Sequence, residues 1–250
     1  MILSLIQHIS SADHILDAAA RLSSGLGKKL SIGLLHGTDR LALQSKLDAA
    51  ATVPHLVIQH AVGVNDITDI CQSLEISFLL IQLTDSSRNT VGRLLRACRE
   101  LRIPYVFYKN DYGKLRLQNV IVPVSFLQEE VEKAQFAAAF GRFCGSHITL
   151  LQANDYGSRA ATNVARMKEL LDKFNFAYTT EKARRDSFKV EYDAMEQAAS
   201  RGAGMIIVSA SREYGLDDIL FGPKELHLIR RSSVPVLLVN PRADLYALCD

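Results

Sequence analysis

Residue types that can do chemistry are scattered through this sequence rather than grouped. Its seven histidines show no H-x-x-x-H or other metal-ligand spacing. His55 and His60 bracket a short apolar run at a separation of five, which on a strand turns them to opposite faces. Two pairs of adjacent carboxylates, Glu129-Glu130 and Asp217-Asp218, have the composition of an acid–base pair. The first stands where a helix opens, and there negative charge suits the helix dipole. The second sits in a loop segment expected to pack Leu216, Ile219 and Leu220 inward. Neither has a base or nucleophile beside it. No G-x-S-x-G elbow, Walker loop or complete Rossmann fingerprint occurs. The densest charge run, Glu181 to Asp186, could offer Lys182, Arg184 and Arg185 to an anionic partner, but a solvated connection is the expected role. The chain is therefore expected to be non-catalytic and to carry no metal.

Composition narrows the classes further. The chain has 250 residues, 48% hydrophobic and 22% charged, which is enough to bury real cores in one large or two small domains. A net charge of +2 makes no electrostatic case for nucleic acid or a membrane surface. No apolar run approaches the roughly 20 residues a membrane span needs. The opening MILSLIQHIS lacks a basic flank and a small-residue cleavage site, so no signal peptide is expected. Cys71, Cys98, Cys144 and Cys249 show no C-x-x-C pairing, which points to reduced thiols and a cytoplasmic location. The first three are expected to be buried apolar side chains, and Cys249 to be exposed.

The elements that must position any site alternate. Strands are expected at 1–7, 30–36, 55–60, 76–83 and 104–108, with helices at 13–26, 40–51, 64–74 and 91–101 between them. Ser10 to Asp13 offer N-caps for the first helix, and Gly25 and Gly27 its stop. Lys109 to Lys114 is polar and turn-rich and marks a junction. The order then returns: strands at 120–124, 148–152, 177–180, 205–208 and 235–239, with helices at 127–143, 158–174, 188–200 and 223–231. This is an internal duplication with a period of roughly 120 residues, far longer than a solenoid repeat. Apolar strands alternating with helices mean an α/β fold of two parallel-sheet domains with helices on both faces, divided as residues 1–112 and 113–250.

The last unit, from Gly204 to Arg242, carries the most specific pattern. It runs from an apolar strand into a loop with LDDILFG, then a helix opened by Gly222-Pro223, then SSVPVLLVNP. Proline at the first helical position has its φ preset and no N–H to waste. Strand, loop, helix and PVLLV strand, with thirteen positions from Gly222 to Pro235, resemble the carboxyl-terminal signature of universal stress proteins. The likeness covers residues 119–240 throughout and the first half by element order. It implies two doubly wound, five-stranded domains of the adenine nucleotide alpha hydrolase-like type, strand order 3-2-1-4-5. It also implies halves that pair within the chain like a homodimer, their fifth strands adjacent; a further homodimer is left open.

The resemblance raises the question of ATP. A doubly wound sheet binds ligand at the carboxyl ends of its strands, at the switch point between strands 1 and 4. A triphosphate there needs a carboxylate after strand 1, glycines after strand 4 and a hydroxyl residue opening the last helix. Aligned with the family pattern, the carboxylate position falls on Ser125, the two loop glycines on Ser209 and Arg212, and the hydroxyl position on Pro223 beside Gly222. Pro223 removes a hydroxyl and an N–H together, and Glu225 adds negative charge one turn in. Each charge-assisted hydrogen bond lost costs about 1.5–3 kcal/mol. Arg212, with hydroxyls from Ser209 and Ser211, is the one rebuilt grip available to phosphate. In the first half, His8 follows strand 1, and Arg88 and Thr90 follow Asp85 in a shorter loop, with turn and cap roles expected. The expectation is a vestigial nucleotide site and no cofactor, with an ATP-binding switch as the alternative. The expected partner is a protein or a small ligand, in a stress response.

Overall fold

A computed structural model describes residues 1–37, 39–50, 52–58, 60–211 and 223–242. The chain divides into two compact units, Met1–Leu115 and Arg116–Asp250.

The first unit is built on five parallel strands: β1 (Ile2–Ile6), β2 (Leu30–Leu34), β3 (Leu56–Val57), β4 (Phe78–Leu83) and β5 (Tyr105–Lys109). Their order is β3-β2-β1-β4-β5. Every residue of β1, β2, β4 and β5 is buried, as expected of strands covered on both faces. Helix α1 (Asp13–Leu26) buries Ile15, Leu16, Ala18, Ala19 and Leu22 along one stripe. It runs straight through Gly25 and ends at Gly27, whose φ of 61° and N–H contacts to the Ser23 and Ser24 carbonyls make the left-handed cap. Its N-cap is Ala12 with no side-chain bond, because Ser10 and Ser11 belong to a preceding 3-10 turn. Helices α2 (Arg40–Ala49), α3 (Ile67–Ser73) and α4 (Arg88–Ala97) follow. Helix α4 starts three residues before the apolar pattern suggests, because Ser87 Oγ accepts the Thr90 amide and sets the cap there. The edge strand β3 is shorter than its apolar run.

The second unit has the same plan. Strands β6 (Asn119–Val124), β7 (His147–Gln152), β8 (Tyr178–Lys182), β9 (Met205–Ser209) and β10 (Val236–Val239) are parallel, in the order β8-β7-β6-β9-β10. Helices α5 (Lys133–Cys144), α6 (Arg159–Lys173), α7 (Val190–Ala198) and α8 (Lys224–Arg231) accompany them. The segment before α5 is a separate 3-10 turn, Gln128–Glu132. Pro223 is the N-cap of α8, with φ −63° and ψ 154°, not its first helical residue, so the expected start is one position early. Close packing at the entry to β9 explains Gly204: a Cβ there would lie 1.8 Å from the Arg116 carbonyl oxygen. Central β6 carries Pro123, which cannot donate to a ladder. It sits beyond the two residues, Val120 and Ile121, that pair with β9. No helix among the described residues is long and apolar enough to cross a membrane.

Candidate functional site

The switch point of the second unit lies where β6 and β9 end side by side. Ser125 follows β6 and is buried; Ser209 closes β9 and is buried; Ser211 lies two residues on and is half-buried. The structure thus brings three of the sequence-predicted site residues to these strand ends. Arg212 and Gly222, together with Asp217-Asp218 and Cys249, lie outside the described residues.

Two backbone amides at these strand ends, those of Ser125 and Ser211, are already used. The Ser125 amide donates to Glu130 Oε2 at 2.9 Å. The Ser211 amide donates to Glu225 Oε1, and its hydroxyl reaches Glu225 Oε2 at 3.1 Å. Asn163, from α6, fixes the exit of β6 by donating to the carbonyls of Ser125 (2.9 Å) and Leu127 (2.7 Å). The exit of β6 is therefore held from both sides.

Behind these contacts lies a buried ionic cluster. Lys133, at the start of α5, is fully buried and donates to Glu130 Oε2 at 2.8 Å and to the Pro123 carbonyl. Past the last β6–β9 pair, an ammonium takes the Pro123 carbonyl. Lys224, the first residue of α8, donates to Glu191 of α7 at 3.0 Å. Burial acts to raise the Glu130 carboxyl, but the charges of Lys133 and Lys224 and the bonds from Lys133 and Ser125 hold it below the ordinary range. Burial likewise opposes the charge on Lys224, and Glu191 and Glu130 outweigh it, holding the ammonium above its ordinary range. Glu225 is different: burial dominates over the Ser211 bond and raises its carboxyl. Glu130 and Glu191 are the carboxylate partners of Lys133 and Lys224. Within this cluster Glu130 Oε1 is buried and has no hydrogen-bond partner among the described residues.

The first unit fills the same place with a neutral side chain. Gln82, in β4 and fully buried, accepts the amides of Gln7 and His8 on Oε1, each at 2.9 Å. Its Nε2 reaches the Ser11 carbonyl at 3.0 Å and Asn110 Oδ1 at 3.2 Å. After β4, Asp85 accepts from Ser87 and Thr90, which hold its carboxyl below the ordinary range. Thr90 thus serves a turn.

Among the described residues no group of three or more His, Cys, Asp or Glu side chains could hold a metal ion. Cys71 and Cys98 are buried, and burial pushes the Cys71 thiol up to about 12; Cys144 is half-buried and shifted in the same direction.

The decisive comparison is with solved structures. A universal stress protein from Archaeoglobus fulgidus DSM 4304 superposes with a TM-score of 0.68 at 14% identity, over 96% of this chain and 98% of that one. The fold is that of the universal stress proteins. A Pseudomonas aeruginosa UCBPP-PA14 protein that carries a provisional universal stress protein name gives a TM-score of 0.64 at 11% identity, over 96% and 92% of the two chains. A protein of unknown function from Pseudomonas aeruginosa PAO1 gives 0.63 at 11%, over the same shares. No protein-family model matches the sequence, and no curated protein matches it. The side chains that hold the strand ends in this chain are Glu130, Lys133, Gln82 and Glu225. Sequence reasoning singled out Glu130 only as half of an adjacent pair with Glu129, and passed over Lys133 and Gln82. The available signals were Glu130 and Lys133 three apart after a proline-bearing strand, and an amide inside the apolar run FLLIQL.

Proposed function

We propose that this chain is a tandem universal stress protein, with copies at residues 1–112 and 113–250. In this reading it serves a stress response in the cytoplasm by binding a protein partner or a small ligand, without turning over ATP. The observation that carries the reading is the double capture of Ser125 and Ser211, whose backbone amides are both spent on buried carboxylates. A triphosphate would have to displace Glu225 and bring its own charge beside it. Removing a buried bond to a charged group costs about 1.5–3 kcal/mol, and about 1.4 kcal/mol is tenfold in affinity.

Calorimetric titration of the full chain with Mg²⁺-ATP tests this, together with a phosphate-release assay. The expected result is no saturable heat and no hydrolysis. Micromolar binding that disappears in Arg212→Ala would overturn the reading, in favour of a nucleotide switch rebuilt on Arg212, Ser209 and Ser125.

A further inference from the structure

A second cleft, of about 860 Å³, opens at the other edge of the second unit, above β7 and β8. It lies in the loops after these strands and at the start of α7, beside the exit of β6. Its volume is that of a small-molecule pocket.

Two aromatic rings stand in it unburied. Tyr156 is fully exposed and Phe188 is 80% exposed. Exposed rings on loops offer flat apolar faces to a ligand. Phe188 is nevertheless held in orientation, meeting Phe126 edge-on with ring centroids 5.5 Å apart.

The charges of the cleft are sorted unevenly. Asp155 is spent on Ser187, accepting its amide at 2.9 Å and its hydroxyl. Asp186 accepts the Phe188 amide at 3.2 Å. Arg185 is locked onto both oxygens of Glu196, at 2.8 and 2.9 Å. Arg184 and Lys189, both exposed, pair with no carboxylate among the described residues. The two acids are thus oriented by neutral donors of their own loop, whereas the Arg184 and Lys189 side chains make no ion pair among the described residues.

The frame beneath is stiff. Ser187 Oγ accepts the Phe126 amide at 2.8 Å, tying this loop to the exit of β6. The Arg184 amide donates to Asp193 Oδ2 at 2.7 Å, and the Asn154 amide donates to the Arg185 carbonyl at 2.9 Å. The loops carrying the rings and cations are thus preorganised, which lowers the entropic cost of capture.

We infer that this cleft binds a planar aromatic anion, its ring against Tyr156 and Phe188 and its negative group between Arg184 and Lys189. Aromatic faces accept any flat ring, and guanidinium and ammonium groups accept phosphate, sulfonate or carboxylate alike. The site does not depend on the switch point being closed.

The chain has no tryptophan, so Tyr156→Trp places a single reporter in the cleft. We would titrate this full-length variant with AMP as a heteroaromatic phosphate and with 1-naphthalenesulfonate as a carbocyclic anion. Adenosine and inorganic phosphate serve as the ring-only and charge-only arms. Saturable fluorescence change is expected with the aromatic anions, and the two partial probes should bind at least about tenfold more weakly. A response to only one aromatic anion supports the site and names its class. Adding Arg184→Glu and Lys189→Glu should weaken binding at least about tenfold, whereas Lys173→Glu, on the exposed side of α6, should not. Amide chemical-shift mapping on the unsubstituted chain repeats the test should the tryptophan disturb the loop. Absence of saturable change in both measurements, or binding indifferent to the double charge reversal, overturns the assignment. AMP binding that survives the reversal and vanishes in Arg212→Ala would overturn both this site and the proposed function. Loss on the reversal alone leaves the latter standing.

Discussion

Glu225 closes over Ser211 from fourteen positions away, its two carboxylate oxygens taking the amide and the hydroxyl of one residue. A helix that should greet phosphate with N–H groups instead opens with Pro223, which has none, and sends a carboxylate back to the preceding strand. The contact predicts a gain of function. Pro223→Ser with Glu225→Ala restores a hydroxyl and an N–H at the helix start and frees the Ser211 amide. Saturable Mg²⁺-ATP binding should then be detected by calorimetry where the unsubstituted chain shows none; no gain would mean that the closure is not what excludes nucleotide.

The Glu130–Lys133 pair should be worth far more than a surface ion pair. Both side chains are buried, at 1% and 0% exposure. Lys133→Met leaves the Glu130 carboxylate uncompensated and should cost about 3–5 kcal/mol in urea denaturation. Glu130→Leu with Lys133→Met removes both charges and should recover much of that loss. A double variant no more stable than the single one would contradict this account.

Two carboxyls with opposite shifts predict two limbs in the pH dependence of stability. The Glu225 carboxyl is raised above its ordinary 4.5, so the folded state holds the proton more tightly. Stability should therefore fall as pH rises from about 4.5 through its folded value. The Glu130 carboxyl is lowered below 4.5, so its contribution is complete above that value and lost as pH falls through the folded one. Thermal melts across pH should flatten on the upper limb in Glu225→Gln and on the lower limb in Glu130→Gln. Unchanged limbs in these variants would assign the dependence to other groups.

Two glycines should fail for different reasons. Gly204→Ala drives a methyl group into the Arg116 carbonyl oxygen and should cost about 3 kcal/mol or prevent folding. Gly27→Ala meets no atom within 4 Å but keeps a φ of 61°, and should cost about 1–2 kcal/mol from backbone strain alone. Gly27→Asn should recover part of that loss, since asparagine tolerates the left-handed region. Equal losses in the two alanine variants, measured by urea melts, would contradict the distinction.

Apolar runs and caps made the alternation of elements legible, down to the buried stripe of α1 and the return of the pattern after Lys114. Strand order was not legible from periodicity, because parallel strands buried on both faces carry no mark of their neighbours; it came through the likeness of Gly204 to Arg242 to a known pattern. The Glu225 contact was half visible: its charge was evident, its reach back to Ser211 was not. Glu130 was visible as half of a carboxylate pair with Glu129, but a lysine three positions on does not announce itself as a buried partner, because such pairs ordinarily sit on a wet helix face. Only the fold shows that their segment tucks under Pro123. Gln82 was hidden in a strand whose other five residues are apolar, where burial says nothing about which amide ends lie within reach.

Gln82 has one more consequence. The first half of the chain ties its strand ends with a neutral amide, whereas the second ties them with paired ions. Protons reach only the second kind of knot. Acid strong enough to pass the folded value of Glu130 should therefore loosen the strand ends of the second half while the Gln82 tie in the first stays made.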